Sequence, residues 1–196
     1  MKVVLLLASR SPRRRQLIRS LNIPVHCVES CYKERLARNI PKKPASLALH
    51  HAQQKTLGAI IPKAKNKEFL VLGADTIVVY RGQVLGKPAS KKKAMQMLQL
   101  LAGRTHQVLT ALALWNPHTG RKTTGLARTQ VTFKKLDNTA ILRYLETVHT
   151  LDKAGGYAIQ EGPRIVKNIR GSRSNVIGLP MELLKSKLKQ ALKWYS

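Results

Sequence analysis

Short apolar runs alternate along this chain with stretches of helical period, separated by turn residues and free of repeats or low-complexity linkers. Lys2 to Leu7 reads as a buried strand. Ser11 is placed as an N-cap and Pro12 as a first helical residue, so a helix is expected from Arg13 to Leu21 with Leu17, Ile18 and Leu21 on one face. A second helix is expected from Pro44 to Ala59. Phe69 to Tyr80, "FLVLGADTIVVY", reads as a strand interrupted at its Gly-Ala-Asp, after which "RGQ" turns the chain back towards Val84. Ser90 caps a helix that ends near Leu101 with Gly103 as its stop, and two long alternating strands around "NPHTG" form a hairpin. Asp137 caps a short helix through Glu146. Pro180 opens a last amphipathic helix whose Leu183, Leu184, Leu188 and Leu192 make a core-packing stripe.

A length of 196 residues at 43% hydrophobic supplies one substantial core, and one domain covering residues 1–196 is expected. The apolar run from Val3 to Ala8 is shorter than a secretory core and meets arginines at once, and no stretch is long enough to span a membrane. A cytoplasmic protein without a membrane partner is expected. Cys27 and Cys31 lack a second ligand pair at zinc spacing and read as reduced thiols. The excess of 36 Lys and Arg over nine Asp and Glu, a formal +27, attracts polyanions of any kind. Because the cations are spread from Lys2 to Lys193, the charge does not identify which anion is the partner.

With so few acids, elimination is informative. Asp137, Glu146 and Glu182 suit caps or solvated helix faces, and Glu68 lies in a lysine-rich loop, which leaves Glu29, Glu34, Asp75, Asp152 and Glu161. Asp75 stands out because it follows "VLGA" at the presumed C-terminal edge of a strand, where open α/β sheets place ligands, and Gly73 and Ala74 leave room for close approach. A plain turn-bonding role is the competing reading. Lys87, in "LGKP", is held extended by Pro88 and returns towards Asp75 if "YRGQ" is a tight hairpin. At the start of the first helix, the hydroxyls of Ser9 and Ser11 and the guanidinium forks of Arg13 and Arg14 suit phosphate oxygens.

Six blocks carry a resemblance: "LASRSPRR" (Leu7 to Arg14), "GADTIVV" (Gly73 to Val79), "LGKP" (Leu85 to Pro88), "LAGRTHQVLT" (Leu101 to Thr110), "DKAGGYAIQ" (Asp152 to Gln160) and "GSRSNVIGLP" (Gly171 to Pro180). Their order resembles that of the Maf family. The resemblance implies an α/β fold with a mixed, elongated, twisted sheet flanked by helices, in two lobes with a central cleft, akin to the inosine triphosphate pyrophosphatases. It also implies a nucleoside triphosphate pyrophosphatase releasing pyrophosphate and a monophosphate, a homodimer by family habit, and a link to cell division through septum formation. Arg13, Thr76 and Gln160 match the subgroup acting on dTTP and UTP, whereas relatives preferring 7-methyl-GTP carry Trp and Glu where this chain has Arg13 and Gln160.

By the same resemblance Asp75 is the general base, Ser9, Arg13, Arg14 and Lys87 contact phosphates, and Glu34 matches an acid after the second strand, with Glu29 as its competitor. A divalent cation, Mg²⁺ or Mn²⁺, is implied between Asp75, Glu34 and the triphosphate. The chain also departs from the pattern. His51 stands where the family's helix usually offers a lysine, Lys33 replaces an acid, Arg173 replaces an aromatic, and Val148 to Thr150 replace "GEP". A nucleic-acid-binding or division-regulating protein that keeps the fold without the chemistry is the alternative. The charge favours it, and the shortage of aromatic residues for base stacking opposes it.

Overall fold

A computed structural model describes residues 3–34, 40–64 and 67–195. In chain order the elements are β1 (Val3–Ala8), α1 (Pro12–Ile18), β2 (Val25–Val28), α2 (Pro44–Leu57), β3 (Glu68–Tyr80), β4 (Gln83–Leu85), α3 (Lys91–Leu101), β5 (Thr105–Trp115), β6 (Lys122–Phe133), α4 (Asn138–Thr147), β7 (Val166–Arg170), α5 (Arg173–Ile177) and α6 (Met181–Leu192). The strands form a seven-stranded sheet in the order β2-β1-β3-β5-β6-β7, with β4 paired to β3. The sheet is mixed: β1 runs parallel to β2 and β3, while β3/β4 and β6/β7 are antiparallel. This is the mixed α/β architecture that the resemblance implied.

The chain divides into two compact units. One comprises Met1–Asp75, Thr110–Ala127 and Gly178–Ser196, the other Thr76–Leu109 and Arg128–Ile177. In the first, β1 is buried on both faces, which is why it reads as an unbroken apolar run. Leu5 and Leu7 pack with Leu70, Leu72, Leu112 and Leu114 against Leu184 and Leu188 of α6, while Val4, Leu6 and Ala8 meet Val71 on the opposite face. The second unit has its own core, built from Val78, Leu98, Leu101, Val108, Val131, Phe133, Ile141 and Tyr144. There the Tyr144 hydroxyl donates to the Ala158 carbonyl and accepts from the Ala158 amide, both at 2.9 Å. Burial pushes that phenol up to about 12. No helix among the described residues is long and apolar enough to cross a membrane.

Three local expectations are corrected. β3 continues through Gly73 to Asp75 without a break. The first helix ends at Ile18, because the amides of Arg19, Ser20 and Leu21 bond three residues back and tighten the chain into turns before Pro24. In α6 the buried positions are Met181, Leu184, Leu188 and Ala191, so Leu183 and Leu192 flank the buried stripe. The turn between β3 and β4 forms as expected, with Arg81 at φ 48° and Gly82 at φ 78°, the paired positive values of a tight hairpin.

Candidate active site

The site residues of the first unit gather where its parallel ladder ends. β1 stops at Ala8 and pairs with β3 as far as Leu72, so Ser9 and the next turns of β3 emerge at the carboxyl edge of parallel strands. Asp75 therefore lies inside a long strand and yet just past the point where β1 has left it. Gly73 has a different purpose from the one expected. A Cβ there would meet Thr56 Oγ1 at 2.2 Å and the Ala52 carbonyl at 2.5 Å, so the glycine admits α2 against the strand and offers no room to a ligand. Ala74 is likewise fully buried.

Asp75 is 5% exposed, and its Oδ1 accepts from Lys55 Nζ at 2.6 Å. The same ammonium forms an ion pair with Glu34 Oε1. Two of the five carboxylates left by elimination are thereby drawn to one cation. The others go elsewhere. Glu29 pairs at the surface with Arg10 at 2.9 Å, which separates it from Glu34 as the acid beside Asp75. In the second unit Asp152 and Glu161 both meet the buried ammonium of Lys153, at 2.9 Å and 3.1 Å, and His149 supplies it with a carbonyl. Those two acids compensate a buried charge and fix the segment before and after the Ala154–Gly156 turn.

Sequence reasoning missed Lys55. His51 occupies the expected lysine position, but Lys55 lies four residues on and thus one turn along the same face of α2. That spacing was the available signal. His51 itself is buried, with Nδ1 2.7 Å from the Tyr32 hydroxyl. The Tyr32 phenol is raised by burial first and then by the carboxylates of Glu34 and Asp75.

The start of α1 is organised by its serines. Ser11 caps the helix by accepting from the Arg14 amide at 3.5 Å, and Ser9 Oγ accepts from the Ser11 amide at 3.2 Å and from Arg14 at 3.4 Å. Arg14 also donates Nε–H to the Gly178 carbonyl at 2.8 Å, so its guanidinium is held from two sides. Burial lowers the Arg14 pKa, Arg13 adds to that, and the carboxylates of Asp75 and Glu34 oppose it. Arg14 and Asp75 thus share one local field. Arg13, the neighbouring residue, is partly buried.

In the second unit Thr76 follows Asp75 directly on β3 and is partly buried. Lys87 is exposed and precedes the buried Pro88. Gln160 is exposed and donates its amino group to Glu161 Oε1 at 3.1 Å. Of the other departures, Lys33 and Arg173 are exposed, and Val148 and Thr150 are buried.

A cation of the implied kind fits the residues present. Asp75 and Glu34 are hard oxygen donors that already converge on one positive group, and Mg²⁺ is commonly held by one or two carboxylates with waters and substrate phosphates completing its shell. Among the described residues there is no larger group of His, Cys, Asp and Glu able to hold a metal by itself.

Comparison with known proteins places the chain in a family. The family described as "Maf-like protein" matches residues 4–191. The chain is 42% identical over 187 residues to a dTTP/UTP pyrophosphatase of Bacillus velezensis, covering 95% of each chain. It is 43% identical over 188 residues to one of Desulfitobacterium hafniense, covering 94% of this chain and 84% of that one. A similar protein of Chlamydia felis with the same name is 38% identical over 187 residues, covering 94% of this chain and 92% of the other. Among solved structures, the Ham1 protein of Staphylococcus aureus aligns over 96% of this chain and 99% of its own at 14% identity, with a TM-score of 0.48.

Proposed function

Because the chain belongs to the Maf-like family, we propose that it hydrolyses nucleoside triphosphates, dTTP and UTP foremost, to the monophosphate and pyrophosphate. The observation that carries this reading is the convergence of Asp75 and Glu34 on one cation, with Arg14 in the same field. A triphosphate needs that combination: cations to hold its oxygens and an ionised acid beside them.

Asp75 takes a proton from the water that attacks the α-phosphorus, the bond from that phosphorus to the bridging oxygen breaks, and pyrophosphate leaves with the bonding pair. Arg14, fixed by Ser9 and Gly178, is already aimed when the substrate arrives, which limits the reorganisation that would otherwise slow the step. Arg13, Ser9 and Lys87 are assigned to the remaining phosphate oxygens by their positions in the family's motifs. A divalent cation, when bound by Asp75 and Glu34, supplies charge neutralisation of the triphosphate.

Gln160 and Thr76 are assigned to the base. Glu161 is an acceptor only, so the Gln160 amino group turned towards it leaves the amide oxygen available to the imide N–H that uracil and thymine share and cytosine lacks. Incubation with UTP, dTTP, CTP, ATP and 7-methyl-GTP tests this. Pyrophosphate released fastest from UTP and dTTP supports the reading, and release fastest from 7-methyl-GTP, or none from any, contradicts it.

A further inference from the structure

Lys55 has no counterpart in the sequence expectations for this site. Its ammonium is largely withdrawn from solvent, with the side chain 18% exposed, and contacts both Asp75 Oδ1 and Glu34 Oε1. It is carried on the face of α2 that buries Ala48, His51, Ala52 and Thr56, whose neighbour Gly73 lets the helix close on β3. The stem thus starts from a fixed backbone. A positive group in contact with two carboxylates has the charge sign and the oxygen partners of a bound cation. A divalent ion touching the same oxygens cannot coexist with the ammonium there, because the two like charges would be in near contact. Lysine suits an occupant that must leave, since its charge is a point on a flexible four-carbon stem and not a fork locked to the acids.

We propose that Lys55 is an internal counter-ion that fills the divalent cation's place in the nucleotide-free protein, so that a metal enters only by displacing it. The proposal rests on the assignment of Asp75 and Glu34 as the cation's ligands. Two carboxylates without Lys55 between them would bind the ion at rest. With Lys55 the ion gains its advantage only when a triphosphate arrives to complete its shell and to take up the released ammonium.

The test is Mn²⁺ binding to the full chain without nucleotide, read from the paramagnetic resonance signal of free Mn²⁺. Lys55→Met and Lys55→Gln are expected to bind Mn²⁺ about tenfold or more tightly than the parent protein, the effect of removing one adjacent like charge. Lys55→Arg, which keeps the charge, is expected to stay as weak as the parent. Lys91→Met, which removes an exposed charge at the start of α3, controls for the general field and is expected to change little. Unchanged or weaker binding in both neutral variants overturns the proposal, and so does loss of the fold in both, because a displaceable ammonium cannot be indispensable to folding. The assay needs no turnover. If the parent releases no pyrophosphate from UTP while the Mn²⁺ ranking holds, the enzymatic reading fails and the counter-ion stands. The converse result separates them in the other direction.

Discussion

At the scale of single residues, the proposed chemistry turns on Asp75. Asp75→Asn keeps the shape and a hydrogen-bond acceptor for Lys55 but removes the proton acceptor, so turnover of UTP is expected to fall about 10²–10⁴-fold with the melting temperature nearly unchanged. A variant retaining full turnover would contradict the assignment. The candidacy of Asp75 was legible in the sequence because so few acids compete with it. That of Lys55 was not, because Lys55 and His51 share one face of α2, and choosing between them requires the position of Asp75 along the helix axis, which the sequence pattern leaves open to within a turn.

His106 gives a second prediction at this scale. It is 2% exposed, its Nε2 lies 2.7 Å from the Tyr157 hydroxyl, and Nδ1 has no hydrogen-bond partner among the described residues. Burial lowers its pKa from 6.5 to about 4. The imidazole therefore stays neutral in the fold while the unfolded chain takes up a proton first as the pH falls. Its contribution is complete above pH 6.5 and is lost between 6.5 and about 4, a change of order 3 kcal/mol. Urea unfolding across that range should show the loss in the parent protein and a flatter acid limb in His106→Phe. An equal slope in both would refute the role.

At the scale of elements, the contact between α2 and β3 sets the site. Gly73→Ala would place a methyl group within 2.2 Å of Thr56 Oγ1 and 2.5 Å of a carbonyl, and the strand or helix must shift to relieve it. Destabilisation of about 3 kcal/mol, the upper end for overpacking, is expected in thermal unfolding, with reduced turnover because Lys55 and Asp75 lie on the two elements concerned. A stability within error of the parent would show that the contact is looser than described. The Gly-Ala-Asp stretch looked like a break in a strand because glycine and aspartate are poor strand formers. It is continuous because the glycine is demanded by the helix above it, a tertiary cause with no local signature. The hairpin at Arg81–Gly82 and the caps at Ser11, Ser90 and Asp137 were readable because each is decided by a few adjacent residues.

For the whole molecule, the ordered motifs were more informative than composition. The charge of +27 accounts for attraction to anions and says nothing about the chemistry done on them. It does predict salt dependence. Raising ionic strength should weaken apparent UTP affinity more than it lowers the turnover at saturation, because long-range steering is screened while the pair of Asp75 with Lys55, largely removed from water, is screened much less. A turnover that falls as steeply as the affinity would place the charge effect inside the chemical step.

The central claim is attack of water at the α-phosphorus. It is tested most directly by turning over dTTP in heavy-oxygen water with Mg²⁺ present and locating the label in the separated products by mass spectrometry. Attack there predicts label in the monophosphate, unlabelled pyrophosphate, and product formed about 10²–10⁴-fold more slowly by Asp75→Asn; labelled inorganic phosphate with a nucleoside diphosphate would contradict it.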